Sequence, residues 1–247
     1  MSLPTVAFPT YTTKLPVTKK EVSYRPFLVK EQKILLLASE SDDTQSIATA
    51  ILSVAKACCL DDDVDVATLP YIDAMFLYLQ LRSKSVGEIV DSILHCDQTN
   101  LKGEVCGNEI PIKIDLSKVT VSNIKNASKK IDISDGVGVQ MKLPTFEQIL
   151  RIESDGNEST VSMGVMEEFD LTIKCIDYIF DGDQVFHTGD SSQAEMVTFL
   201  ESLTEQQFSP IAEFIESFPS LYFKNEHTCP RCKAKNTIEL NDISDFF

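Results

Sequence analysis

Positive charge is scarce in this chain. Lysine and arginine number 22 against 38 aspartates and glutamates, a formal net charge of −16. So acidic a surface repels phosphodiester backbones and anionic lipid headgroups, so neither nucleic acid nor a membrane is expected as a direct partner. Long apolar runs are also missing. No stretch approaches the roughly 18 residues that a bilayer-spanning helix needs. The opening Met1-Ser2-Leu3-Pro4-Thr5-Val6-Ala7-Phe8-Pro9 has neither a basic region nor an apolar core, so no secretory leader is expected. Catalytic signatures are absent too: there is no Walker loop, Gly-x-Gly-x-x-Gly, Gly-x-Ser-x-Gly or His-Glu-x-x-His. Asp181-Gly182-Asp183 lacks the later glycine and closing glutamate of a calcium loop and reads as a surface turn. His187 has no Ser or Cys motif beside it. No residue is assigned a catalytic role, and the protein is not expected to be an enzyme.

What the chain does have is enough apolar material, 43% of 247 residues, for a real core and one or two domains. It also has seven cysteines. An odd number without a leader fits reduced thiols in a cytosolic compartment better than a disulfide framework. Cys58, Cys59 and Cys175 fall in apolar helical patterns and are expected as buried thiols. Cys229-Pro230-Arg231-Cys232 is different, because it lies between two strand-like runs. That spacing lets two thiolates grip one metal ion from a single turn, as in half of a zinc ribbon.

A half-site needs a second half, and the candidate is upstream: His95-Cys96 and Cys106-Gly107-Asn108. Nine residues separate Cys96 from Cys106, too wide for an ordinary knuckle, and Gly103 stands where a knuckle would want its first cysteine. The expectation is a structural zinc held by Cys96, Cys106, Cys229 and Cys232, with His95 or His227 as substitute ligands. The alternative is a free dithiol or a redox pair, which would make the protein a thiol oxidoreductase using Cys229 and Cys232. Such enzymes place the pair at a helix start in a βαβ context, and no such pattern precedes it.

Helical spacing is expected over 30–38, from 47 to 58 after N-cap chemistry at Ser41-Asp42-Asp43, and again after Leu69-Pro70 through Ile72, Met75, Phe76 and Leu79. Arg82-Ser83-Lys84-Ser85 is expected to connect that helix to a strand at 89–94. Ile110, Ile112, Ile114 and Leu116 alternate with Pro111, Lys113 and Asp115 as a half-buried strand, which Val119-Thr120-Val121 extends. Glu153 to Thr160 reads as a loop, and the chain from Val161 as helix through Met166, Phe169, Ile173, Ile176 and Tyr178. Ser192-x-x-Glu195 and Thr204-x-x-Gln207 match capping boxes, and Pro219 stops the last helix. The resulting expectation is an α+β, helix-rich chain with a small zinc-ribbon-like β element joining the upstream and C-terminal cysteine segments. Its divisions are 1–88 (extended segment and helices), 89–124 plus 220–247 (the ribbon-like element) and 125–219 (a helical region).

Three segments carry a family resemblance: Arg25-Pro26-Phe27-Leu28-Val29-Lys30-Glu31-Gln32-Lys33-Ile34-Leu35-Leu36-Leu37-Ala38, Leu77-Tyr78-Leu79-Gln80-Leu81-Arg82-Ser83-Lys84-Ser85-Val86-Gly87-Glu88, and the Ile114-Asp115-Leu116 strand end. With the C-terminal Cys-Pro-x-Cys they resemble the baseplate hub protein family of T-even-like bacteriophages, whose members are hub subunits or hub assembly chaperones. The resemblance implies a non-enzymatic tail assembly protein, working as a chaperone for the baseplate hub or remaining as a permanent subunit. It implies other hub or spike proteins as partners, and the host cytoplasm during assembly, or the virion baseplate, as location.

Overall fold

The computed structural model describes residues 6–41, 43–99, 103, 105–155 and 165–240. The extended start forms a hairpin of β1 (Tyr11–Lys14) and β2 (Glu21–Tyr24), paired from Tyr11↔Tyr24 to Lys14↔Glu21. Its turn is held from a distance. The fully buried Asp73 carboxylate accepts from the Val17 and Thr18 N–H groups at 2.8 and 2.9 Å and from the Thr18 hydroxyl at 2.7 Å. Next come α1 (Val29–Ser39), α2 (Thr44–Cys58) and α3 (Tyr71–Val86). Asp43 caps α2 by accepting from the Gln45 and Ser46 N–H groups, and Ile51, Val54, Ala55 and Cys58 turn inward.

A buried ion pair locks the approach to α1. Arg25 donates to Glu31 and to the Ala57 carbonyl, both at 2.9 Å, while Glu31 accepts from the Leu28 N–H at 2.8 Å. The helix α3 is the centre of the molecule: Ile72, Ala74, Met75, Leu77, Tyr78, Leu79 and Leu81 are all buried. Pro70 stands at its N-cap, one place before the first turn. Arg82 to Ser85 do not form a connector. They continue α3, which runs on until Gly87, whose φ of 135° breaks the helix. Lys84 pairs with Glu88 one turn later, and Ser85 Oγ accepts from the Phe27 N–H at 2.9 Å.

From here strands dominate. β3 (Ile89–His95) pairs antiparallel with β4 (Glu109–Asp115), and Ile110, Ile112 and Ile114 face the core as the alternation requires. The chain then turns through 116–118, so β5 (Thr120–Val121) does not extend β4. It joins a different sheet.

The region 125–219 is not all helix. β6 (Ser128–Ser134), β7 (Val137–Lys142), β8 (Ile176–Asp181) and β9 (Gln184–His187) make a four-stranded antiparallel sheet in the order β6-β7-β8-β9. α4 (Phe146–Asp155), α5 (Val165–Cys175), α6 (Gln193–Glu201) and α7 (Glu205–Glu216) accompany it. Ile176 and Tyr178 thus belong to β8, which follows α5 directly. Glu153 to Asp155 are helical, while 156–160 and the expected helix start at Val161 lie outside the described residues. Both capping boxes form, Ser192 with Glu195 and Thr204 with Gln207. The chain closes with β10 (Leu221–Thr228) and β11 (Lys235–Leu240), in a sheet ordered β11-β10-β5. Among the described residues this is a mixed α and β structure in which the β part is not the small element expected.

Candidate metal centre

Two hairpins present the four cysteines. Cys96 and Cys106 lie at the tip of β3–β4, beyond the last pair His95↔Glu109. Cys229 and Cys232 lie at the tip of β10–β11, beyond Thr228↔Lys235. The shorter tip is a tight knuckle: the Cys229 N–H donates to Ala234 O at 2.9 Å, and the Lys233 N–H donates to Cys229 O at 3.0 Å. Lys233 has a φ of 62°, which lets the chain reverse directly after the second cysteine.

The longer tip repeats this frame. The Cys96 N–H donates to Asn108 O and the Gly107 N–H donates to Cys96 O, both at 3.0 Å, with Gly107 at a φ of 58°. In each tip the second cysteine is followed by one residue of positive φ and then by the residue that accepts from the first cysteine. Nine intervening residues make the upstream segment look too wide, yet the described ends of that stretch meet again. The Cys106 N–H donates to Gln98 O at 2.8 Å, and Thr99 bridges Val105. The Cys-Gly-Asn that follows the loop was the available sequence signal for this second knuckle. Gly103 plays no part in it.

The two tips face each other. Cys96 Sγ lies 3.6 Å from Cys232 Sγ, Cys106 Sγ lies 3.9 Å from Cys229 Sγ, and all four sulfurs lie within 4.8 Å of one another. A disulfide would need about 2.05 Å. A tetrahedron with metal–sulfur bonds of about 2.3 Å has sulfur–sulfur edges of about 3.8 Å. The observed cross-hairpin distances bracket that value, so the four thiols can hold a metal ion. Neither His95 nor His227 joins the group.

The local field favours a thiolate at Cys229. The Cys229 thiol is pulled down to about 7 because the Cys232 N–H points at its sulfur. Burial opposes that pull, and the Arg231 N–H adds to it. Burial pushes the Cys96 thiol up, against hydrogen bonds from the Gln98 N–H and the Asn236 side chain. Asn236 is itself buried and donates to Ala234 O at 3.2 Å. Its place beside Cys96 was not foreseen from sequence. Cys96 and Cys229 are buried, Cys106 half-buried and Cys232 exposed, so one side of the set faces solvent.

One contact between the hairpins and one from the strand after β4 support this arrangement. Arg231 Nη1 donates to Cys106 O at 3.2 Å, and β5 pairs with β10 through Leu221↔Val121 and Tyr222↔Thr120. The other three cysteines stand apart. Burial raises Cys58 to about 11 and Cys175 to about 12, as expected of inert core thiols, and it raises Cys59 as well.

No helix among the described residues is long and apolar enough to cross a membrane. No curated protein and no solved structure matches the chain. One family model does, described as T4 bacteriophage base plate protein, and it matches residues 8–247, which takes in every element from β1 to β11. The chain belongs to that family.

Proposed function

We propose that this protein is a non-enzymatic assembly factor that chaperones the baseplate hub of a phage tail. The observation that carries this reading is membership of the base plate family over nearly the whole chain. The partners are other hub or spike proteins, met in the host cytoplasm during assembly. The family's description as a base plate protein also favours a second reading, a permanent hub subunit. Quantifying the chain in purified mature particles separates the two. A chaperone is absent or far below one copy per hub, whereas a subunit is stoichiometric. Deleting the gene should leave heads intact and tails missing or defective at the baseplate, and normal tails would overturn both readings.

Within that role, Cys96, Cys106, Cys229 and Cys232 bind one structural zinc. The sulfur spacing and the N–H groups aimed at Cys229 support this assignment. Four protein ligands leave no open position for a substrate, so the ion would hold the two hairpins together and do no chemistry. A thiol oxidoreductase would also have a lowered cysteine, but its pair would react freely. Titrating thiols with and without chelator tells them apart. Protection that disappears on chelation supports zinc, and equal reactivity in both supports the redox pair.

A further inference from the structure

The strand β3 has one open side. The Leu116 N–H donates to Glu88 O at 2.8 Å and the Cys96 N–H donates to Asn108 O at 3.0 Å, so the hydrogen-bonded pairs of this ladder fall on the even positions of β3. Ile89, Asp91, Ile93 and His95 therefore turn their backbone N–H and C=O groups away from β4. Among the described residues the sheet has two strands, and no other backbone group bonds to these outward ones.

Natural edge strands are usually guarded by proline, lysine, a bulge or short length. The outer edge of β4 has two such guards. Pro111, opposite Ile93, offers no N–H at an outward position, and Lys113 stands opposite Asp91. β6 carries Lys129, Lys130 and a register shift between Asp132 and Ser134, and β9 is only four residues long. β3 has no proline, lysine or bulge, and its one charged side chain, Asp91, is paired with Lys113 at 4.0 Å. Its seven residues, Ile-Val-Asp-Ser-Ile-Leu-His, run in unbroken register. Its outer face also presents Ile89 and Ile93, which are 49% and 56% exposed.

We infer that the open edge of β3 accepts an extended, basic segment of a partner protein as a third strand. The backbone groups of Ile89, Asp91, Ile93 and His95 supply a strand-addition template. Charge selects the occupant. Asp97 is exposed on this hairpin, Asp91 is exposed with only a 4.0 Å ion pair to Lys113 across the ladder, and the chain as a whole carries −16. A second copy would bring the same charge to the seam, whereas a segment alternating lysine with β-branched residues would neutralise it. The edge geometry does not depend on the zinc or on the chaperone role.

The test titrates the full-length protein into a fluorescent heptapeptide of alternating lysine and valine, read by anisotropy. Saturable binding is expected, with a loss of about tenfold or more when alternate peptide nitrogens are methylated. Ile93→Pro should produce a similar loss, because it removes an outward N–H and leaves the ladder to β4 intact. Should Ile93→Pro fail to fold by circular dichroism, the methylated peptide on the unaltered protein decides alone. Equal affinity for the methylated peptide, or for a glutamate–valine counterpart, overturns the inference. So does sedimentation showing dimers that Ile93→Pro abolishes, which would make a second copy the occupant. Binding seen only after removal of 241–247 overturns it as well, by assigning the edge to that segment.

Discussion

Arg25 and Glu31 explain why the segment that carries the family resemblance begins with an arginine. The pair is buried, with side chains 8% and 2% exposed, and both ends have further partners in the backbone. Burial alone would push the Glu31 carboxyl up, but the Arg25 guanidinium and the Leu28 N–H outweigh it and hold it below the usual range. A carboxyl held low stabilises the fold above its unfolded value, and that contribution fades as pH falls through the folded value. Acid unfolding monitored by circular dichroism should therefore shift to higher pH in Glu31→Gln. Removing Arg25 leaves the buried Glu31 with only the exposed Lys30, at 3.4 Å, as a cationic partner, so Arg25→Met should cost about 3–5 kcal/mol in urea unfolding. Arg25→Met combined with Glu31→Leu should recover much of that loss. A small effect of Arg25→Met would mean that Lys30 or water compensates Glu31. Gly138 is a second position with no freedom. A Cβ there would sit 2.3 Å from Ile131 O and 2.2 Å from the Phe180 ring. The ring can turn, but a carbonyl within the β6–β7 ladder cannot, so Gly138→Ala should cost at least about 1–3 kcal/mol in the same assay.

The two cysteine knuckles share one hydrogen-bonded frame although their loops differ in length. If the frame is what matters, the loop is dispensable. Replacing residues 97–105 by Pro-Arg would give the upstream hairpin the same Cys-Pro-Arg-Cys tip as the downstream one. That variant should keep one zinc per chain by elemental analysis and resist chelators as the parent does, whereas loss of metal would show that the loop itself shapes the site. This is where sequence reading reached its limit. The four residues could be chosen from their types and flanking strands, but knuckle width was judged by counting residues, and only the backbone pairing of Cys96 with Asn108 shows that the count is irrelevant. Elements with local signals were legible: the Asp43 cap, both capping boxes, and the alternation of Ile110, Ile112 and Ile114. The β6–β9 sheet was not. Asp135-Gly136 and Asp181-Gly182 are strong hairpin signals, with Gly136 and Gly182 at φ of 82° and 56°. Taken singly, each marks a turn without saying which strands it joins. Ile176 and Tyr178 were absorbed into the preceding helix because no glycine or proline separates α5 from β8. The end of α3 is hidden for the converse reason: Arg82 and Lys84 look like a surface connector, yet both residue types are good helix formers.

Across the whole molecule, the clasp joins segments that lie far apart in the chain. Cys106 and Cys229 are separated by 123 positions, and Cys96 and Cys232 by 136. Closing a loop of that size in an unfolded chain costs about 4 kcal/mol of entropy, a cost the folded state avoids if the ion stays bound throughout. If the ion leaves on unfolding, the stabilisation is instead set by its affinity for the folded site and its free concentration. Both routes predict the same ranking. Removing zinc from the parent protein should lower its melting temperature, and Cys229→Ser should melt where the chelated parent does and ignore further chelator. The loss should not be confined to the C-terminal hairpin. β10 is tied to β5, Arg231 to Cys106, and β4 packs Ile110, Ile112 and Ile114 into the core. Hydrogen exchange in Cys229→Ser should therefore quicken in β3–β4 as well as in β10–β11. Faster exchange in β10–β11 alone would mean that the thiols secure only the end of the chain, and absence of stoichiometric zinc in protein purified without chelator would remove the clasp altogether.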